Sequence, residues 1–206
     1  MSTAELRDLL DGRTMLMPLT VDQYHTMLET GILRDGDPYE LLNGMLVRKD
    51  RSAVGEDPMT IGHEHAWAVN SLVDLNSKLK RLGCYMQVQQ PLSLPPYDEP
   101  EPDGAVIVGT YEDYRGRHPT AADVTCVIEV ADASLNRDRT TKLRAYAGSG
   151  IAQYVIINLV DRLVEVYTEP MAQRYGRSVT LGLKDRVEFA AAKGKRLAVA
   201  VRKLLP

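Results

Sequence analysis

The run VTCVIEVA, from Val124 to Ala131, restricts the fold more than any other stretch of this chain. It is apolar almost throughout, so it reads as a buried strand, yet it carries Glu129 near its exit. A buried glutamate is rare unless it is paired. A second apolar run, PDGAVIV from Pro102 to Val108, carries Asp103 at its entrance. If the two runs are antiparallel neighbours, the start of one lies beside the end of the other, and the two carboxylates meet at one edge of a sheet. Two such charges at 4 Å repel by roughly 1 kcal/mol even in water, and by more in a partly dry cleft. A divalent cation removes that penalty, and Mg²⁺ suits a site of one or two carboxylates completed by water.

The stretches around these runs read as alternating helices and strands. TVDQYHTMLETGI opens with Thr20 as an N-cap and sets Tyr24, Met27, Leu28 and Ile32 on one face. YELLNGMLVRK is a hairpin about Asn43-Gly44. DRSAVGEDPMTIG is a polar loop. HEHAWAVNSLVDLNSKLKRLG is one helix, with Val69, Leu72, Val73 and Leu79 as its apolar stripe and Gly83 as its stop. CYMQVQQPLSL reads as a strand. SLNRDRTTKLRAYAGSG reads as a helix, followed by the strands IAQYVIINLV and LVEVYTE, joined through Asp161-Arg162. The tail mixes short strands with a last helix. No repeat or low-complexity linker divides the 206 residues, so one domain is expected over 1–206: an N-terminal helical region (1–36), a core (37–169) and a C-terminal extension (170–206).

In the helix after Glu129, Asp138, Lys142 and Tyr146 are spaced four apart and share a face. The preceding connection is short, so this face returns over the end of the sheet, where Lys142 would orient a nucleophile beside a phosphate and offset developing negative charge. Taken alone, Lys142 reads as a solvated lysine pairing with Asp138, and Tyr146 and Tyr154 as packing residues. In HEH, positions two apart point to different faces of a helix, so His63 and His65 do not share a zinc ion. His65 falls on the apolar side and lines a core or cleft. The basic residues of RYGR and AAKGKRLAVAVRK read as solvated faces.

The formal net charge of −3 excludes a wholly basic nucleic-acid coat but not a local basic face. Cys84 and Cys126 do not make a disulfide framework, which points to a reducing compartment. MSTAELRDLLDGR has no apolar signal core, and no run reaches membrane-spanning length. A cytoplasmic protein with no membrane partner is expected.

The order of PD, VIEV and RDRTTKLRAYAGSGIAQYVIIN, together with YELLNGMLV and the His-led helix, resembles the Uma2 family within the PD-(D/E)xK nuclease superfamily. The resemblance implies an α/β (α+β) restriction-endonuclease-like core, a mixed central sheet flanked by helices. It implies a Mg²⁺- or Mn²⁺-dependent endonuclease acting on DNA as a homodimer. Asp103 and Glu129 would hold the metal with the backbone carbonyl of Val130, and Lys142 would assist. Glu40 would be a further ligand or a water-orienting acid, and His65 the helix-leading histidine of the site. The superfamily lysine belongs two residues after Glu129, where this chain has Ala131. The family's Ser-Pro-Ser turn is ADAS here. Two alternatives stay open: a nuclease fold that binds nucleic acid or a protein without cutting, and a metal-dependent phosphoesterase for a small substrate.

Overall fold

The computed structural model describes residues 17–34, 36–49 and 62–206. The N-terminal MSTAELRDLLDGR stretch and nearly all of the DRSAVGEDPMTIG loop lie outside the described residues. The elements in order are α1 (Val21–Glu29), β1 (Tyr39–Leu42), β2 (Met45–Arg48), α2 (His63–Val73), α3 (Asn76–Lys80), β3 (Cys84–Gln87), β4 (Gly104–Val108) and β5 (Val124–Ala131). A helix α4 over 135–148 follows. After it come β6 (Gln153–Asn158), β7 (Leu163–Met171), β8 (Arg174–Leu181), β9 (Arg186–Ala190) and β10 (Arg196–Ala200).

Six strands form one mixed sheet in the order β3-β4-β5-β6-β7-β8. Only β5 and β6 are parallel, and α4 makes the crossover that a parallel pair requires. β4 and β5 are antiparallel, with Gly104 opposite Ile128. Asp103 therefore reaches the sheet edge where β5 carries Glu129, as the two apolar runs predict.

Strand periodicity sends alternate residues to two cores. Cys126, Ile128 and Val130 of β5 pack beneath α2 and α3 with Leu72, Leu79 and Phe189. Val127 and Ala131 face the other layer, with Tyr146, Ile151 and Tyr154. Glu129 shares their parity. Asp103 likewise shares the parity of Ala105 and Ile107, which lie in the α4-side core. Both acids thus belong to the face that α4 covers. The β9–β10 hairpin supplies Val187, Phe189 and Val199 to the opposite core.

The expected hairpin is present. Asn43 and Gly44 both have positive φ, 50° and 72°, as a two-residue turn of the I′ kind demands. A Cβ at Gly44 would stand 2.3 Å from that of Pro18, so the turn also needs a bare backbone there. Thr20 caps α1 in a reciprocal capping box with Gln23.

Several expectations are corrected. Ile32 lies past the end of α1 and is 69% exposed, because the helix stops at Glu29. The single helix from His63 is two, separated at Asp74–Leu75, and Val73 turns outward at 41% exposure while Ala68 and Leu75 join the stripe. The strand from Cys84 ends at Gln87, and Gln89 takes a left-handed φ of 50°. The last helix is one 3₁₀ turn, Val201–Lys203. No described helix is long and apolar enough to cross a membrane.

Candidate active site

Helix α4 is not regular. It begins as an α turn at Leu135–Arg137, widens to a π turn over Asp138–Lys142 and resumes as α over Leu143–Gly148. Such a turn inserts a residue into the helical repeat and is common at functional sites. Arg139 anchors it from outside, donating to Glu165 Oε1 at 2.6 Å, and Glu165 also accepts from Asn158 and Tyr167. Inside, the turn delivers Lys142 onto the buried edge of the sheet.

Lys142 Nζ lies 2.9 Å from Glu129 Oε1 and 3.6 Å from Glu40 Oε2. Lys142 is 5% exposed and Glu129 3%, so the pair is removed from solvent screening. The solvated lysine paired with Asp138 is therefore not what forms. Ala131 explains how the contact is reached. It is fully buried on the same strand face as Glu129, and its methyl leaves that face to side chains arriving from α4. One turn beyond Lys142, the Tyr146 hydroxyl donates to Glu129 Oε1 at 2.6 Å. Tyr146 is thus a partner of the acid as well as a packing residue. Tyr154 does pack, with its ring centroid 5.0 Å from that of Tyr146 and its hydroxyl donating to the Asp138 carbonyl.

Asp103 is held from two sides. Its Oδ2 accepts from the Val130 N–H at 2.9 Å and lies 3.2 Å from His65 Nε2. Gln89 Nε2 is the partner of Oδ1, at 3.5 Å. His63 is exposed and His65 buried, as their spacing requires. Glu40 enters from β1, which is docked to the rest of the protein by an antiparallel bridge between Leu41 and Glu99. Its Oε2 accepts from the Glu101 N–H at 3.3 Å, while Oε1 is buried with no partner among the described residues. Asp138, also buried, accepts from Ser134 Oγ at 2.6 Å. The structure thus brings Asp103, Glu129, Lys142, Glu40 and His65 around one open cleft of about 170 Å³, which Val130 and Asp138 also line.

Four buried carboxyl groups surround one ammonium, and the protonation of the site follows from that imbalance. Burial raises Glu129 to about 8, against the pull of Lys142 and Tyr146 and with the added repulsion of Asp138 and Asp103. Burial also raises Asp138, opposed by Lys142, Ser134 and Arg137. Burial acts against the charge of Asp103 too, but the His65 hydrogen bond and charge, Lys142 and the Val130 N–H outweigh it and hold Asp103 below its ordinary value. Burial opposes the charge of Lys142, yet Glu129, Glu40, Asp138 and Asp103 keep its proton bound more tightly than in a free lysine.

Among the described residues, no three His, Cys, Asp or Glu side chains stand close enough to hold a metal ion by themselves. The donor chemistry nevertheless fits a hard cation that keeps several waters. The unpartnered Glu40 Oε1, the weakly engaged Asp103 Oδ1 and the surplus of negative charge all call for a positive group in the cleft. Sequence reasoning missed the Tyr146 hydroxyl, the burial of Asp138 and the pairing of His25 Nε2 with Glu99 Oε2 at 2.8 Å. For Tyr146 a signal existed, since it lies four residues beyond Lys142.

A mixed sheet crossed by one parallel connection, with acids ending two adjacent strands and a lysine returned to them by the crossover helix, defines a protein of restriction-endonuclease-like fold. The chain belongs to the Uma2 family, described as "Putative restriction endonuclease", whose model matches residues 21–200. It is similar in structure to a protein from Anabaena variabilis ATCC 29413 described as a putative nuclease belonging to DUF820. The TM-score is 0.63 at 14% identity, covering 91% of this chain and 97% of that one. No curated protein matches the chain.

Proposed function

We propose that this protein is a metal-dependent endonuclease that hydrolyses DNA phosphodiester bonds. The observation that carries the proposal is the convergence of Lys142 with Glu129 at the sheet edge where Asp103 is held, in a cleft open to solvent. Mg²⁺ or Mn²⁺, held by Asp103, Glu129 and the Val130 carbonyl, would supply Lewis acidity toward the phosphate and lower the pKa of a bound water. Asp103 is kept ionised and oriented by His65 and the Val130 N–H. Burial favours the protonated form of Glu129 in the metal-free cleft, and the Tyr146 hydroxyl aims its carboxyl. Lys142, permanently charged, orients the attacking oxygen and offsets the charge that develops on the phosphate. Glu40 turns its free Oε1 to the attacking water.

Superhelical, linear, single-stranded and branched DNA, incubated with Mg²⁺, Mn²⁺ or EDTA, tests this. Cutting that needs metal and disappears in Asp103→Ala is the expected result. A protein that binds these DNAs but cuts none of them is a binding protein on a nuclease fold. By the same family resemblance, two copies act together on duplex DNA; light scattering that finds only a monomer on bound duplex excludes this.

A further inference from the structure

A second cavity, of about 370 Å³, opens beside the cleft, and Lys49 and Glu101 line both. Its volume falls in the range of small-ligand pockets, roughly 300–1,000 Å³. Tyr24, Tyr39, Leu28 and Leu33 give it an aromatic and apolar wall. Arg34 and Gln90 stand exposed at the same cavity, and neither side chain has a hydrogen-bond or ion-pair partner among the described residues. The acids around it are already engaged: Glu99 with His25, Glu101 with Lys49, and Asp37 with the Arg34 N–H. With the acids engaged, Arg34 and Gln90 are the polar groups left free at this wall, and they suit the polar edge of a flat ring. Gln89 joins the two spaces. It lines the second cavity, and its amide reaches Asp103 in the first.

We infer that this cavity binds one nucleobase of the substrate, that of a nucleotide flanking the phosphate held in the cleft. Tyr39 provides the stacking face, and Gln90 and Arg34 address the polar edge of the ring. A base can enter only when it is out of its helix, so the substrate class is DNA with an unpaired base at this point, in a single strand or extruded from a duplex. The inference rests on the nuclease reading. Aromatic side chains commonly stack on bases without sequence preference, whereas phosphate contacts are blind to the base.

Binding in EDTA separates these contributions without any cleavage. The full-length protein is titrated with a single-stranded oligonucleotide and with an abasic oligonucleotide of the same length. The intact strand is expected to bind about tenfold tighter, as one stacked base provides. In Tyr39→Ala the ratio is expected to fall toward one, and in Tyr39→Phe, which keeps the ring, to persist. Gln90→Ala, at an exposed site that leaves the fold intact, is expected to lower the ratio about twofold. Equal binding of both strands by the unaltered protein, or a ratio unchanged in Tyr39→Ala and Gln90→Ala, overturns the base pocket and leaves the nuclease reading standing. Failure to bind either strand overturns the base pocket, whereas the nuclease reading falls only if no DNA is cut with Mg²⁺ or Mn²⁺ present.

Discussion

Lys142 and Glu129 meet at 2.9 Å across the gap between a crossover helix and the strand before it. In the motif that the sequence resembles, the lysine stands on the strand itself, two residues past the acid, where Ala131 is found. Two residues along a strand and a neighbouring helix packed on that strand look onto the same face. An ammonium can therefore reach the acid from either place, and the π turn at Asp138–Lys142 supplies the helical route.

A buried cation among four acids makes Lys142 structurally costly to remove. Breaking a buried pair from one side typically costs about 3–5 kcal/mol, because the surviving charge stays unpaired. At pH 9, above the Glu129 value of about 8, Lys142→Met is expected to lose stability of that order in EDTA, measured by urea denaturation. Adding Glu129→Gln should recover part of the loss. Strictly additive losses in the double variant would deny the coupling.

The raised carboxyl of Glu129 gives metal-free stability a direction with pH. A group whose pKa is higher folded than unfolded stabilises fully below its unfolded value, here 4.5, and that contribution is lost as pH rises through the folded value of about 8. Asp138, also raised, acts in the same sense. Asp103 acts oppositely, but only below 3.8. The melting temperature in EDTA should therefore decline between pH 4.5 and 8, and Glu129→Gln should flatten the decline. The increase in melting temperature given by Mn²⁺ should grow over the same interval, since the cation displaces the proton.

Glu40 offers a contrast between the free and loaded protein. Its Oε1 is buried without a partner. Glu40→Gln removes one of the crowded charges, so it should melt higher than the parent in EDTA. It should also show a smaller Mn²⁺-induced increase. An unchanged increase would mean that Glu40 does not face the cation.

His65 and Tyr146 act through the acids they hold. Partners of this kind typically contribute 10–100-fold to metal affinity. His65→Ala is expected to weaken Mn²⁺ binding by about that factor in calorimetry. Tyr146→Phe keeps the ring and removes the hydroxyl that favours ionised Glu129. The pH at which Mn²⁺ binding reaches half its maximum should move upward in that variant, and no movement would reduce Tyr146 to a packing residue.

The sequence made local and periodic features legible. The Asn43-Gly44 turn, the capped start of α1 and the opposite faces of His63 and His65 all follow from spacing and turn chemistry. The meeting of Asp103 and Glu129 followed from one assumption, that their strands are neighbours. Features fixed by distant partners stayed hidden. Nothing in the sequence PPYDEPEP marks Glu99 as buried, yet it is, because its backbone bridges Leu41 and its carboxylate holds His25. The π turn has no compositional signature, since it is set by where Arg139 and Lys142 are anchored. The outward turn of Val73 depends on a break at Asp74–Leu75 that no glycine or proline announces.

The most direct test is to compare DNA cleavage under saturating Mn²⁺, and Mn²⁺ affinity by titration, in the parent and Lys142→Met. Loss of one preorganised charge of this kind typically costs about 10²–10³ in rate. The account predicts a rate loss of that order with Mn²⁺ still bound at Asp103 and Glu129. Cleavage at the parental rate by Lys142→Met would contradict it, and Lys142 would then be only the counter-ion of a buried acid.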